Sequence, residues 1–94
     1  MVCLQSPRFR LGHLCATPGA LERLDRRQIM ALARRHQQGD WGDVSEDDRA
    51  ANERAVAHGD ERILSAYVID GQARIWLITE ADHSQTTVLL PEEY

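Results

Sequence analysis

Two strand-forming runs flank Asp70-Gly71, and that arrangement constrains the chain more than anything else in it. The runs read ERILSAYVI and QARIWLIT. β-Branched and aromatic residues on either side of Asp-Gly predict a hairpin closed by a type I′ turn. A two-residue loop sets Ile69 opposite Gln72, Val68 opposite Ala73, Tyr67 opposite Arg74 and Ala66 opposite Ile75, running on to Ile63 opposite Ile78. Side chains alternate along a strand. One face would then carry Leu64, Ala66, Val68, Ala73, Ile75 and Leu77, wholly apolar and expected against the core. The other would carry Ile63, Ser65, Tyr67, Ile69, Gln72, Arg74, Trp76 and Ile78, a mixed and aromatic surface. Tyr67 opposed to Arg74 is expected to form a cation–π contact of about 0.5–1 kcal/mol.

Helix signals precede the hairpin. Arg8 to Ala16 alternates weakly, with Phe9, Leu11, His13 and Cys15 on one side, and predicts a first strand that Gly12 weakens. Thr17-Pro18 is an N-cap followed by proline at the first helical position, starting a short helix that ends near Arg26. Asp25 and Gln28 have the spacing of a capping box, and Ile29, Met30, Leu32, Ala33 and His36 follow at helical intervals up to Gly39. Ser45 caps a third helix whose first turn, Glu46, Asp47 and Asp48, suits the helix dipole; Gly59 closes it. Thr86 to Leu90 predicts a last strand stopped by Pro91. The expected fold is a single α+β domain over residues 1–94. It comprises a short N-terminal strand, two to three helices, then an antiparallel sheet of three strands with helices packed on one face.

The 94 residues suffice for one modest core without disulfide or metal. Cys3 and Cys15 form no Cys-x-x-Cys and the four histidines are scattered, so no zinc signature exists and a reducing cytoplasmic setting is expected. No apolar run reaches about 18 residues, and Arg8 and Arg10 interrupt any signal-peptide core, so no membrane association is expected. All basic residues are arginine. Residues 1–35 carry a net +5 and residues 36–94 a net −9, together the formal −4. That acidity makes nucleic acid an unlikely general ligand, because phosphate neutralisation dominates such binding.

Three segments bear on chemistry. The aromatic hairpin face is the first candidate surface, because Tyr, Trp and Arg dominate interface hot spots; a protein partner, a second copy of the chain, or an intramolecular cover by the N-terminal segment or the Pro91–Tyr94 tail are its three expected occupants. The segment HQQGDWGDVSEDD, His36 to Asp48, is the second. Its acids do not match a calcium loop, and a tight turn anchored by Trp41 is expected. The third, Thr79 to Thr87, holds Asp82, His83 and Ser84, but consecutive loop residues rarely converge as a triad must, and no nucleophile elbow surrounds Ser84. The partner-binding candidates are therefore Tyr67, Arg74, Trp76, Ile78, Asp40, Trp41 and Asp43. An alternative, a small ribonuclease of the barnase and bacterial-toxin type, would draw on His36, Arg74, Thr79, His83 and Thr87, with histidine as base and arginine on phosphate. No metal or cofactor is expected in either case.

The strings TPGAL, HQQGDWGD, ERILSAYVIDG and IWLITEADHSQTTVLLPEEY, spread over Leu11 to Tyr94, resemble a family of small proteins carried on plasmids and integrative elements, whose members often bear the label "type I restriction endonuclease subunit M" or "plasmid-related protein". The sequence has neither the Gly-rich cofactor loop nor the Asn-Pro-Pro-aromatic motif of a methyltransferase. What the resemblance implies is a mobile-element setting, in which small acidic proteins often inhibit restriction or CRISPR complexes. The expectation is a non-catalytic cytoplasmic protein that binds a protein partner, with the acidic 40–48 segment standing in for phosphates.

Overall fold

A computed structural model of the chain describes residues 7–71 and 73–94; Cys3 and Gln72 lie outside the described residues. The elements follow the expected order. Strand β1 (His13–Ala16) leads into α1 (Pro18–Arg23), α2 (Arg26–Gln37) and α3 (Glu46–His58). Strands β2 (Ile63–Ile69), β3 (Ala73–Thr79) and β4 (Gln85–Leu89) follow, and a 3₁₀ turn at Pro91–Glu93 ends the chain. The first strand is shorter than the alternation suggested.

The helix ends form where their capping chemistry lies. Thr17 Oγ1 accepts from the Ala20 N–H, and Pro18 occupies the first turn. Asp25 and Gln28 exchange side-chain bonds with each other's backbone amides at 2.8 and 2.9 Å, completing the capping box. Ser45 accepts from Asp48 N–H, and Gly59 closes α3 in the left-handed conformation, φ 76°. The three N-caps satisfy amides that a helix start leaves without an intrahelical partner, and Gly59 N–H serves the Ala55 carbonyl at the end of α3.

The sheet has four strands in the order β1-β4-β3-β2. It is mixed, not antiparallel throughout, because β1 lies parallel to β4, with His13 opposite Gln85 and Ala16 opposite Val88. A strand separated from its partner by three helices and a hairpin can enter in either direction, and nothing local in the sequence selects one.

The hairpin departs from the expected register. Asp70 and Gly71 both take positive φ, 48° and 81°, as a primed turn requires. Yet Ile69 stands opposite Ala73, Val68 opposite Arg74, Tyr67 opposite Ile75 and Ala66 opposite Trp76, so three residues separate the strands instead of two. A one-residue slip moves a strand's whole side-chain set to the other face. In β2 the core face therefore holds Ile63, Ser65, Tyr67 and Ile69, and the far face Leu64, Ala66 and Val68. β3 keeps its expected sides: Ile75 and Leu77 inward, Arg74, Trp76 and Ile78 outward.

Helices cover the inward face. Ala20, Leu24, Ile29, Leu32 and Ala33 pack on Tyr67, Ile75, Leu77, Val88 and Leu90, and Phe9, Trp41, Ala55 and Ile63 form an adjoining cluster. The exposed edge of β2 is shielded by borrowed hydrogen bonds. Asn52 of α3 gives its amide N–H to Leu64 C=O at 2.6 Å and accepts from Leu64 N–H at 2.9 Å. Ala66 N–H donates to Trp41 C=O, and its carbonyl accepts from Asp43 N–H at 2.7 Å. Gly42 sits so close that a Cβ there would fall 2.1 Å from the Ala66 carbonyl oxygen. Exchanging Asn52, which is buried, for the similarly sized leucine strands both Leu64 backbone groups. The expected loss on Asn52→Leu is about 2 kcal/mol, measurable as a lower midpoint in urea with an unchanged slope.

Candidate functional site

His36 enters the fold because α2 presents it at the end of its apolar stripe, and it is fully buried. Its Nδ1 lies 2.5 Å from Ser65 Oγ and its Nε2 2.9 Å from Thr79 Oγ1. Thr79 Oγ1 is 2.7 Å from Thr86 Oγ1, which donates to the Leu11 carbonyl at 2.8 Å. That last bond fixes the direction of the others, since each hydroxyl has one proton. Thr86 accepts from Thr79, Thr79 accepts from His36 Nε2–H, and His36 Nδ1 accepts from Ser65. The network thus assigns the neutral Nε2–H tautomer. Burial agrees, pushing the imidazole down to about 3 from its ordinary 6.5 by disfavouring the cation. The ring also meets Phe9 edge-on at 5.0 Å and Trp41 at 5.9 Å.

Trp41 is sealed at 1 % exposure. Its Nε1–H donates to Glu53 at 3.0 Å, and Glu53 is gripped in turn by both terminal nitrogens of Arg8, at 2.7 and 3.1 Å. The Arg8 hydrogen bond first, then that of Trp41, holds the Glu53 carboxyl below its usual range. Asp40 is likewise lowered, mainly by its hydrogen bond from Arg35. Asp43 pairs with Arg74 at 3.2 Å. Residues 40–45 are thus a turn anchored by Trp41, as the composition suggested, and Glu46, Asp47 and Asp48 form the first turn of α3. Among the described residues no group of three or more His, Cys, Asp or Glu side chains could hold a metal ion.

The five residues of the ribonuclease alternative do not meet. His36 and Thr79 lie in the core, bonded to one another. Arg74 and Thr87 project from the opposite face of the sheet. His83 sits in the β3–β4 loop with its ring on Phe9 at 5.8 Å; its Nε2 is buried without a hydrogen-bond partner. In the same loop Asp82 accepts from Ser84 N–H at 3.0 Å, a local turn bond and not part of a triad.

The hairpin surface is also redrawn. Tyr67, expected outside, is 2 % exposed and donates its hydroxyl to the Asp40 carbonyl at 2.6 Å; burial pushes its phenol up to about 12. Its cation partner is Arg35, 4.4 Å from the ring centroid, and not Arg74. Ile63 is buried with it. Ile78, expected to flank the surface, faces outward but is only 8 % exposed, packed with Leu64, Leu89 and Trp76. What the outward face presents is Val68 at 46 % exposure, Arg74, a half-buried Trp76, and Tyr94 at 75 %, whose ring meets the indole edge-on at 5.7 Å. Val68 is the residue that sequence reasoning missed, because it alternates out only in the observed register. Tyr94 belongs to the Pro91–Tyr94 tail, one of the expected intramolecular covers of this face, and its ring does lie against it.

Comparison with known proteins finds no matching family model, no similar curated protein and no similar solved structure.

Proposed function

We propose that the chain is a non-catalytic binding protein of mobile genetic elements that engages a protein partner, a restriction or CRISPR complex, through the outward sheet face. The observation that carries this reading is the division of labour between the two faces. His36, Ser65, Thr79 and Thr86, the polar cluster at the centre of the fold, are buried and consumed by one another. Val68, Arg74, Trp76 and Tyr94 remain available on a face that, among the described residues, no α-helix covers. Apolar and aromatic side chains gathered beside an arginine are the composition of an interface core. Exposed Asp43 borders Arg74 from the chain that joins α2 to α3, and with exposed Glu46 and Asp47 in the first turn of α3 supplies the negative charge that a nucleic-acid-binding groove would accept.

The test uses purified chain added to a type I restriction enzyme or a CRISPR effector cleaving target DNA. Cleavage should fall as the chain approaches stoichiometry. Val68→Asp and Arg74→Glu should each weaken inhibition at least tenfold while melting within a few degrees of the parent, since both side chains are exposed. Trp76→Ala is a poorer probe, because the indole also packs on Leu64, Ile78 and Leu89. Cleavage unaffected by a large excess of the chain would refute the reading. Single-stranded RNA should survive incubation with the chain at neutral pH; hydrolysis that disappears in His83→Ala would revive the ribonuclease alternative.

A further inference from the structure

The two edges of the sheet are treated unequally. β2 is shielded by Asn52 and the Trp41–Asp43 turn, whereas β1, at the other end of the strand order, pairs on its outer side with none of the described residues. His13 N–H donates to Ser84 C=O at 3.0 Å and Thr17 N–H to Val88 C=O at 2.9 Å. With parallel register, every second residue of β1 turns its backbone to β4, so Leu14 and Ala16 turn theirs outward. Among the described residues neither has a hydrogen-bond partner on that side. Beside this edge lies a cleft of about 390 Å³ lined by Leu14, Cys15, Ala16, Leu21, Arg26, Ile29 and Met30. Leu21 and Met30 are two of the largest exposed apolar side chains, at 59 and 51 %.

We propose that this edge and cleft form a docking site for an extended acidic peptide segment of a partner protein, added as a fifth strand along β1. The backbone of such a segment would pair with the amides and carbonyls of Leu14 and Ala16, and alternate apolar side chains would enter the cleft. This is strand addition at a sheet edge, in which main-chain bonds supply affinity and side-chain pockets supply selectivity. The charge of the occupant follows from the surrounding arginines. Arg26 lines the cleft, and Arg27 and Arg34 stand one turn to either side of Met30 on α2; all three are exposed and have no carboxylate partner among the described residues. Glu22 and Asp25 are the only acids in the first 35 residues, and Asp25 is engaged in capping α2. A second copy presenting the same edge would bring arginines against arginines. A nucleic acid would satisfy the charge, but it has no peptide backbone to match Leu14 and Ala16, and the cleft offers no aromatic ring for base stacking. The site is remote from the outward hairpin face and stands whether or not that face binds a partner.

The probe is a capped hexapeptide alternating glutamate and valine, titrated into the isotopically labelled chain and followed by amide NMR shifts. The amides of Leu14 and Ala16 should shift together with the Met30 methyl group, and binding should weaken several-fold on raising salt from 0.05 to about 0.5 M. The same peptide with lysine for glutamate should bind at least tenfold more weakly. Ala16→Pro removes one outward N–H, a change that edge strands tolerate, and should abolish the titration; should that variant fail to fold, Met30→Asp, at an exposed position, should do the same. The proposal is overturned if the glutamate peptide leaves these amides unmoved or if the lysine peptide binds equally well. It is also overturned if a short oligouridylate displaces the glutamate peptide, or if the two amides shift with protein concentration alone, which would make a second copy the occupant.

Discussion

Trp41→Ala should lower stability by about 3–5 kcal/mol, the range for deleting a fully buried large aromatic. Three losses coincide at this position. A cavity opens between Phe9, at 6.0 Å, and His36. Glu53 loses the indole N–H and keeps only Arg8. The turn that pairs with Ala66 on the edge of β2 loses its anchor, although its backbone bonds use no side chain. In a chain of this size each kcal/mol is worth about 4–8 °C, so the melting temperature should fall by at least about 12 °C. Trp41→Phe keeps much of the stacking and forfeits the Glu53 bond, and should sit between the two. A shift of only a few degrees for the alanine variant would show that the 40–48 segment is held by other means.

Acid should destabilise the fold well before the carboxylates titrate. His36 is neutral in the folded chain down to about pH 3, whereas the unfolded chain takes up that proton near 6.5. The folded value is the lower of the two. The contribution is therefore fully present above pH 6.5 and is lost as pH falls toward 3, by about 1.4 kcal/mol per unit. Asp40 and Glu53, lowered by their arginine partners, add their own loss only further down. The interval from pH 6.5 to 5 isolates the imidazole. Urea unfolding at several pH values should show stability falling across that interval, and His36→Gln should flatten the slope, because the other three histidines are common to both chains. A slope unchanged by the substitution would mean that the ring is not buried as a neutral group.

Local chemistry made the helices legible and left the sheet partly hidden. Thr17-Pro18, Asp25 with Gln28, Ser45 and Gly59 each act within one turn of their own backbone, so their roles are written in adjacent residues. The hairpin needed one more decision, the count of residues in its loop. Asp70-Gly71 suggested two and the chain uses three, and that difference carried Tyr67 inward and Val68 outward. Trp76 and Arg74 stay outside because the extra residue shifts β2 against β3 and leaves the inward side of β3 at Ile75 and Leu77. The helical run of Ile29, Met30, Leu32, Ala33 and His36 carried the inward position of His36, although Met30 in the same run lies exposed. The bonds of His36 to Ser65 and Thr79 were not legible there, since they depend on which faces of β2 and β3 meet α2. The parallel entry of β1 beside β4 was equally out of reach, being a choice between distant partners.

That pairing of the first strand with the last bears on how the protein is made. On a ribosome β1 and all three helices emerge before β4 exists, so they must wait with Val88 and Leu90 absent from their core. Contacts between such distant segments slow folding, and unsatisfied apolar surface during the delay invites association with other chains. A strain short of chaperones should consequently yield less folded material, even though the finished molecule is small.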